Sequence, residues 1–280
     1  MTSLFFEDFV VGLRFESGPR TVSEQDLKGF TEISGDRHPL HTDARYAAGT
    51  RFGSPILQGP FGVAVFFGLF HELHLVDESV VALLDTNWRY LAPIQVGDTL
   101  RFEMTITGCR RTSKGTEGVV NRHVVLLNQR DERVQEGTTA VLVRARGTGP
   151  DPVSHAFGTP AWAAALAQRL AGDERFTRAT SSWDGTVGLR CGEAEVHLRI
   201  YRGKVIEVTR RAPHGATFTF GASELVWSEL ITGPRNDFMQ RAMRGQFQVT
   251  GSGYEYLRLT KVLHVIVDNA RALAAEGASA

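Results

Sequence analysis

Asp36 and His41 stand five residues apart in the segment Phe30-Thr31-Glu32-Ile33-Ser34-Gly35-Asp36-Arg37-His38-Pro39-Leu40-His41-Thr42-Asp43. Ser34, Gly35, Asp36 and Pro39 break the helical pattern before them, so carboxylate and imidazole share one bend. Two acid–base groups on one bend can converge on a single water, which is the minimum equipment for adding water to a double bond or removing it. Addition across a C=C conjugated to a thioester needs three things. Water must lose a proton as it attacks C3, a proton must reach C2, and charge on the thioester oxygen must be stabilised. Neutral His41 can take the proton. Asp36 can hold the water or, if protonated, donate to C2. The Gly59 amide, at the head of an apolar segment, can donate to the thioester oxygen with the helix dipole behind it. Pro60 has no N–H to offer. The spacing alone also fits a hydrogen-bonded bend with no catalytic role, and a Gly-Pro-headed apolar helix is commonly a packing element.

The elements around these residues must position them. Val22 to Ile33 reads as a helix with Ser23 as N-cap and Leu27, Phe30 and Ile33 on one face. Asp43 to Ala48 reads as a short helix. A Gly- and Pro-rich loop, 52–60, leads into an apolar helix over Phe61 to Leu75, hydrophobic nearly all round and therefore buried. Strand patterns follow over Val80 to Leu91, from Leu100 to Ile106 in strict alternation, and over Val119 to Asn128 and Thr138 to Arg146. One buried helix followed by antiparallel strands predicts a sheet wrapped round that helix, an α+β layout.

Composition narrows the function classes. The chain has 280 residues with 42% apolar content, enough for one large or two ordinary cores. Lys+Arg and Asp+Glu are both 31, so there is no general basic field for nucleic acid or an anionic membrane. Cys109 and Cys191 are too few and too far apart for a disulfide framework or a structural zinc site, and read as buried thiols in a reducing cytoplasm. The acidic N-terminus is no signal peptide, the longest apolar run (61–70) is about half a membrane span, and no peroxisomal address closes the chain. The expectation is a cytoplasmic protein with no integral membrane segment.

Other candidate sites are weaker. His71 and His74 lack further ligands for a metal, so no metal is expected. Ser34 and Ser54 lack a nucleophile-elbow context, and Gly251 to Gly253 is no dinucleotide loop. Arg110, Arg111 and Lys114 could meet coenzyme A phosphates or equally be a solvated strand end.

The wider text carries a resemblance. The run from Ser34 to Asp43, then Phe52-Gly53-Ser54-Pro55-Ile56-Leu57-Gln58-Gly59, then Tyr90-Leu91-Ala92-Pro93-Ile94-Gln95-Val96-Gly97-Asp98-Thr99-Leu100, closely resembles the MaoC-like family over about residues 1–147. These are R-specific enoyl-CoA hydratases and dehydratases with the hotdog fold. The resemblance implies Asp36 and His41 as the catalytic pair and Gly59 as oxyanion donor. His38 stands where the family usually has an orienting Asn. Gln58 stands where it often has His, which makes Gln58 a candidate substrate-binding position. It further implies reversible hydration of a trans-2-enoyl thioester to the 3R-hydroxyacyl thioester, a homodimer, and no cofactor beyond the coenzyme A of the substrate.

Gly and Pro cluster between Arg146 and Pro160, which reads as a linker over 148–160. Beyond it, Ala161 to Leu170 reads as a helix. Val196 to Ile200 and Val205 to Val208 form a hairpin, and Ala216 to Phe220 a strand. Ser223 to Ile231 and Asn236 to Met243 read as helices, Phe247 to Thr250 as a strand, and Gly253 to Ala275 as one long closing helix. The apolar residues here read first as an ordinary core, with a lipid tunnel as the sharper alternative. The runs from Gly203 to Val208, Ala216 to Ser223, Trp227 to Gly233 and Gly245 to Gly251 resemble a sterol carrier protein type 2-like domain over 161–280. That resemblance implies an α/β fold and a possible lipid ligand. A tethered carrier would raise the local concentration of a poorly soluble acyl substrate.

Overall fold

The computed structural model describes residues 3–149, 151 and 157–278. The chain separates into two compact units, residues 1–8, 13–105 and 116–146, and residues 9–12, 106–115 and 147–280. The last junction falls between Arg146 and Gly147, and the second unit also takes two short segments from the N-terminal half. A boundary drawn at one point cannot express a unit assembled from three segments. The linker expected over 148–160 falls in part on residues 150 and 152–156, which lie outside the described residues.

The first unit contains β1 (Arg14–Glu16), β2 (Arg20–Thr21), α1 (Glu24–Ser34), α2 (Pro39–Thr42), α3 (Ala44–Ala48) and α4 (Gly59–His71). They are followed by β3 (Val80–Tyr90), β4 (Thr99–Arg111, of which residues 99–105 belong to this unit), β5 (Glu117–Leu127) and β6 (Arg133–Arg144). The sheet order is β1-β4-β5-β6-β3, with β2 also on β4, and the β1–β4, β2–β4, β5–β6 and β3–β6 pairs are antiparallel. Alternation along β4 turns Leu100, Phe102 and Met104 inward, where they form one core with Phe61, Val65, Phe66 and Leu69 of α4 and Val124 and Leu126 of β5. The Phe66 ring meets Phe102 edge-on at 5.0 Å. Burying a side chain such as Phe66 or Leu69 contributes roughly 2 kcal/mol. This is the expected hotdog layout, an antiparallel sheet packed round an apolar helix.

Two local devices set the frame for the bend at residues 35–38. Ser23 and Asp26 close a reciprocal capping box at the start of α1. Gly35 ends α1 in the left-handed region at φ 70°, which a Cβ would disfavour. At the other side of the sheet, β3 pairs with β6 alone among the described residues and exposes Val80, Val81, Leu83, Leu84 and Tyr90.

The second unit contains α5 (Pro160–Ala171), α6 (Glu174–Ala179), β7 (Asp184–Cys191), β8 (Ala194–Tyr201), β9 (Lys204–Thr209) and β10 (Phe218–Ala222). It ends with α7 (Glu224–Thr232), α8 (Phe238–Met243), β11 (Gln248–Gly251), α9 (Gly253–Arg258) and α10 (Thr260–Ala278). Its sheet order is β11-β10-β7-β8-β9, with β10 parallel to β7 and the other pairs antiparallel. Trp227, Phe220, Phe238 and Phe247 pack ring against ring in its core. The single closing helix expected over 253–275 is two helices. At the break, the Thr260 hydroxyl donates to the Tyr256 and Leu257 carbonyls, competing with the backbone ladder.

Candidate active site

The bend brings Asp36 and His41 together. His41 Nε2 lies 3.6 Å from Asp36 Oδ2, with the imidazole side chain 11% exposed and the carboxylate 49%. His41 Nδ1 lies 2.7 Å from the Ile56 carbonyl oxygen. A carbonyl only accepts, so Nδ1 carries the proton and Nε2 of the neutral ring presents its lone pair towards Asp36. Two atoms 3.6 Å apart can both reach one water oxygen at hydrogen-bonding distance.

Ile56 is itself fixed from two sides. Its amide donates to the Leu40 carbonyl, the neighbouring Leu57 amide donates to the Ile94 carbonyl, and Ile56 forms an isolated bridge with Gln95. The loop at 54–58 is therefore a clamp between α2 and the turn before β4. The sequence reading did not assign the Ile56 carbonyl a role, because a backbone acceptor leaves no residue-type signal.

His38 is the N-cap of α2. Its Nδ1 accepts from the Leu40 amide at 3.1 Å. A capping Asn would offer an oxygen acceptor to the same donor. The ring also packs edge-on against Tyr46 at 5.9 Å.

Gln58 and Gly59 head α4. The Gly59 amide is at the first helical position, where no carbonyl of the helix can accept it. A Cβ at Gly59 would come within 3.1 Å of the Tyr90 ring, so the backbone here is approached closely. Gln58 departs from the expectation of a substrate-binding side chain. It is 1% exposed, and its Nε2 donates to Thr31 Oγ1 at 2.8 Å and to the Asp36 carbonyl at 3.1 Å. Nε2 ties the Asp36 bend to α1, while Oε1 is buried without a hydrogen-bond partner among the described residues.

A cavity of about 240 Å³ is walled by His41, Ile56, Gly59, Tyr90 and Gln135, and a second of about 620 Å³ by Leu27, Lys28, Thr31, Arg37 and His41. His41 lines both. Gln135 is a cavity-lining position the sequence reading missed. It is buried, donates from Nε2 to the Gly59 carbonyl at 3.0 Å, and accepts from Trp88 Nε1 at 2.8 Å. The available signal was a polar residue at an inward position of a strand, but the strand was expected to start at Thr138 rather than Arg133.

His74 Nδ1 pairs with Asp77 Oδ2 at 2.7 Å beyond the end of α4, and no cluster among the described residues could hold a metal ion. Arg111 is engaged by both Asp151 carboxylate oxygens, at 2.7 and 2.6 Å. No helix among the described residues is long and apolar enough to cross a membrane.

Comparison with known proteins finds matches in the N-terminal half of the chain. Residues 11–126 match the MaoC like domain. The chain is 34% identical over 104 residues to the 3-hydroxybutyryl-CoA dehydratase of Methylorubrum extorquens, covering 37% of this chain and 64% of that protein. It is 31% identical over 146 residues to the β-methylmalyl-CoA dehydratase of Chloroflexus aurantiacus, covering 51% of this chain and 40% of that protein. It is 29% identical over 147 residues to the (R)-specific enoyl-CoA hydratase of Rhodospirillum rubrum, covering 51% of this chain and 94% of that protein. The chain thus spans less than two thirds of the first two of these relatives, and each match is confined to about half of this chain or less. Residues 11–126 are therefore similar to the MaoC like domain.

Proposed function

We propose that the protein catalyses R-specific hydration of a trans-2-enoyl thioester, on coenzyme A or an acyl carrier, and the reverse dehydration. The observation that carries this reading is the fixed tautomer of His41, with Nδ1–H on the Ile56 carbonyl and Nε2 3.6 Å from Asp36. The names of the relatives, all hydratases or dehydratases of acyl-CoA compounds, support the same chemistry. Asp36 orients the water, and His41 Nε2 accepts its proton as the oxygen attacks C3. The proton is returned at C2, so one water is added and the protein is unchanged. The Gly59 amide donates to the thioester oxygen as charge develops there. His38 and Gln58 act as positioning residues, one capping the helix that carries His41 and the other holding the backbone of Asp36. No metal or redox cofactor takes part, and coenzyme A enters only with the substrate.

The proposal extends to assembly. The exposed apolar edge strand β3 supports a homodimer. Residues 1–147 act as the hydratase domain, and 161–280 as a sterol-carrier-like domain that helps hold the acyl or lipid group in a cytoplasmic enzyme.

The test is loss of enone absorbance with short and long trans-2-enoyl-CoA, with His41→Ala and Asp36→Asn alongside. Loss that needs both residues, with 3R product and no free thiol, is expected. Thiol release would reassign the protein as a thioesterase. Acyl-lipid binding without turnover, insensitive to Asp36→Asn, would make it a carrier.

A further inference from the structure

Arg122 lies on the inward side of β5 and is 2% exposed. Its Nε donates to Thr139 Oγ1 at 2.9 Å. The guanidinium carbon sits over the Phe70 ring at 4.7 Å and the Phe66 ring at 5.7 Å from their centroids. Nη1 and Nη2 are buried and have no hydrogen-bond partner among the described residues. Burial pulls the pKa down to about 10, which leaves the group a cation at neutral pH. Such a group carries a large desolvation cost unless something anionic meets it. A guanidinium set over aromatic rings donates from its edge, the geometry that takes a carboxylate with two parallel bonds.

Its place relative to the candidate active site gives the anion a source. Gln135 forms part of the wall of the cavity that holds His41 and Gly59. In the sheet, Leu126 pairs with Gln135 and Arg122 with Thr139. Four residues of β6 therefore separate the cavity wall from the Arg122 row, about 13 Å at the usual strand rise. Along α4, Phe66 follows Gly59 by seven residues, about 10 Å. Arg122 thus lies beyond the cavity under the same helix, with Gln135 and Trp88 between. Gly62 offers no side chain there, and a Cβ on it would fall 2.2 Å from Gln135 Oε1, so the Gln135 amide occupies the space beside Gly62.

We propose that Arg122 is a specificity residue that binds the free terminal carboxylate of a medium-length dicarboxylic acyl thioester, whose chain passes Gly62 as the Gln135 side chain turns aside. This rests on the hydratase reading above. It assigns the acyl group a charged end rather than a methyl end.

The test uses the full chain and two pairs of coenzyme A thioesters of equal length, ending in methyl or in carboxylate. One pair is trans-2-enoyl, for turnover; the other is saturated, for binding by calorimetry. Wild type is expected to prefer the carboxylate-ended member of each pair by roughly ten- to hundred-fold. Arg122→Met is expected to remove the preference, and Arg122→Lys to restore part of it. Because Arg122→Met deletes an uncompensated buried charge, its Tm is expected at or above that of wild type, so misfolding does not mimic the result. A wild-type preference for the methyl end, or a carboxylate preference untouched by Arg122→Met, overturns the proposal. Sodium chloride abolishing the preference at equal occupancy of Arg122 also overturns it, marking a small inorganic anion site. If neither enoyl thioester turns over while the saturated pair is still discriminated through Arg122, the anion site stands and the hydratase reading fails.

Discussion

Gln58 holds Asp36 through the backbone. The buried Gln58 Nε2 donates to the Asp36 carbonyl at 3.1 Å and to Thr31 Oγ1 at 2.8 Å, and the Thr31 hydroxyl in turn donates to the Leu27 carbonyl. Because Thr31 spends its own proton on Leu27, only the amide nitrogen of Gln58 can face it, which fixes the orientation of the side chain. The Asp36 bend is thereby anchored to the last turns of α1, and His41 to the clamp at Ile56.

Replacing Gln58 with Leu removes both bonds and leaves the Asp36 carbonyl and Thr31 oxygen short of a donor. Stability is expected to fall by about 1–3 kcal/mol, read from the urea midpoint. If Gln58 positions Asp36 rather than touching substrate, kcat falls while KM changes little. A rise in KM at unchanged kcat would return Gln58 to the substrate wall.

His38 caps α2 through Nδ1. Asn offers an acceptor to the same Leu40 amide, so His38→Asn is expected to retain both stability and kcat/KM. His38→Ala loses the cap, at a cost of about 1 kcal/mol, and is expected to lower kcat because α2 carries His41. Equal loss in both variants would point to a role for the imidazole itself.

Gly62→Ala places a methyl 2.2 Å from Gln135 Oε1 and 2.5 Å from its Cδ. Gln135 is buried and holds the Gly59 carbonyl and Trp88, so the clash cannot be relieved without breaking those bonds. A loss of about 1–3 kcal/mol is expected, together with a blue- or red-shifted Trp emission as the Trp88 partner moves.

The Asp26 carboxyl lies below its ordinary value. Burial acts to raise it, but the Ser23 amide and hydroxyl and the Arg20 guanidinium together outweigh burial. A carboxylate with a depressed folded pKa contributes stability that is present above its unfolded value and lost as the pH falls towards the folded one. Acidification below about pH 4 is therefore expected to weaken the cap of α1. Asp26→Asn, less stable than wild type at pH 7, is expected to show a shallower decline over that range. Parallel declines would mean that other carboxylates dominate.

Cys109 and Cys191 are both buried, and burial pushes both thiols up, away from the thiolate form. Neither is expected to react with a disulfide reagent in the native protein at pH 8, and both are expected to react in denaturant. Rapid labelling of the folded protein would show that one of them opens to solvent.

The sequence by itself determined the elements that depend on neighbours along the chain. The Ser23 cap, the Gly35 stop and the alternation of Leu100, Phe102 and Met104 are all local patterns that appear where predicted, and the apolar helix behind Gly59 forms but ends at His71 rather than Leu75. The pairing of Asp36 with His41 was legible for the same reason, as one bend spans both. What only the tertiary structure decided is what reaches across the sheet. Strand β7 is absent from the sequence reading because Gly185 and Gly188 weaken its pattern. Yet the Trp183 ring and Thr219 hydroxyl press so closely on those backbones that only glycine fits. The inward turn of Gln58, the Ile56 carbonyl under His41, and the placement of Gln135 and Arg122 beneath α4 likewise depend on partners distant in sequence or on a backbone atom common to all residues. Residue type and periodicity report which face of an element is buried; they do not report which atom of a distant strand will meet it.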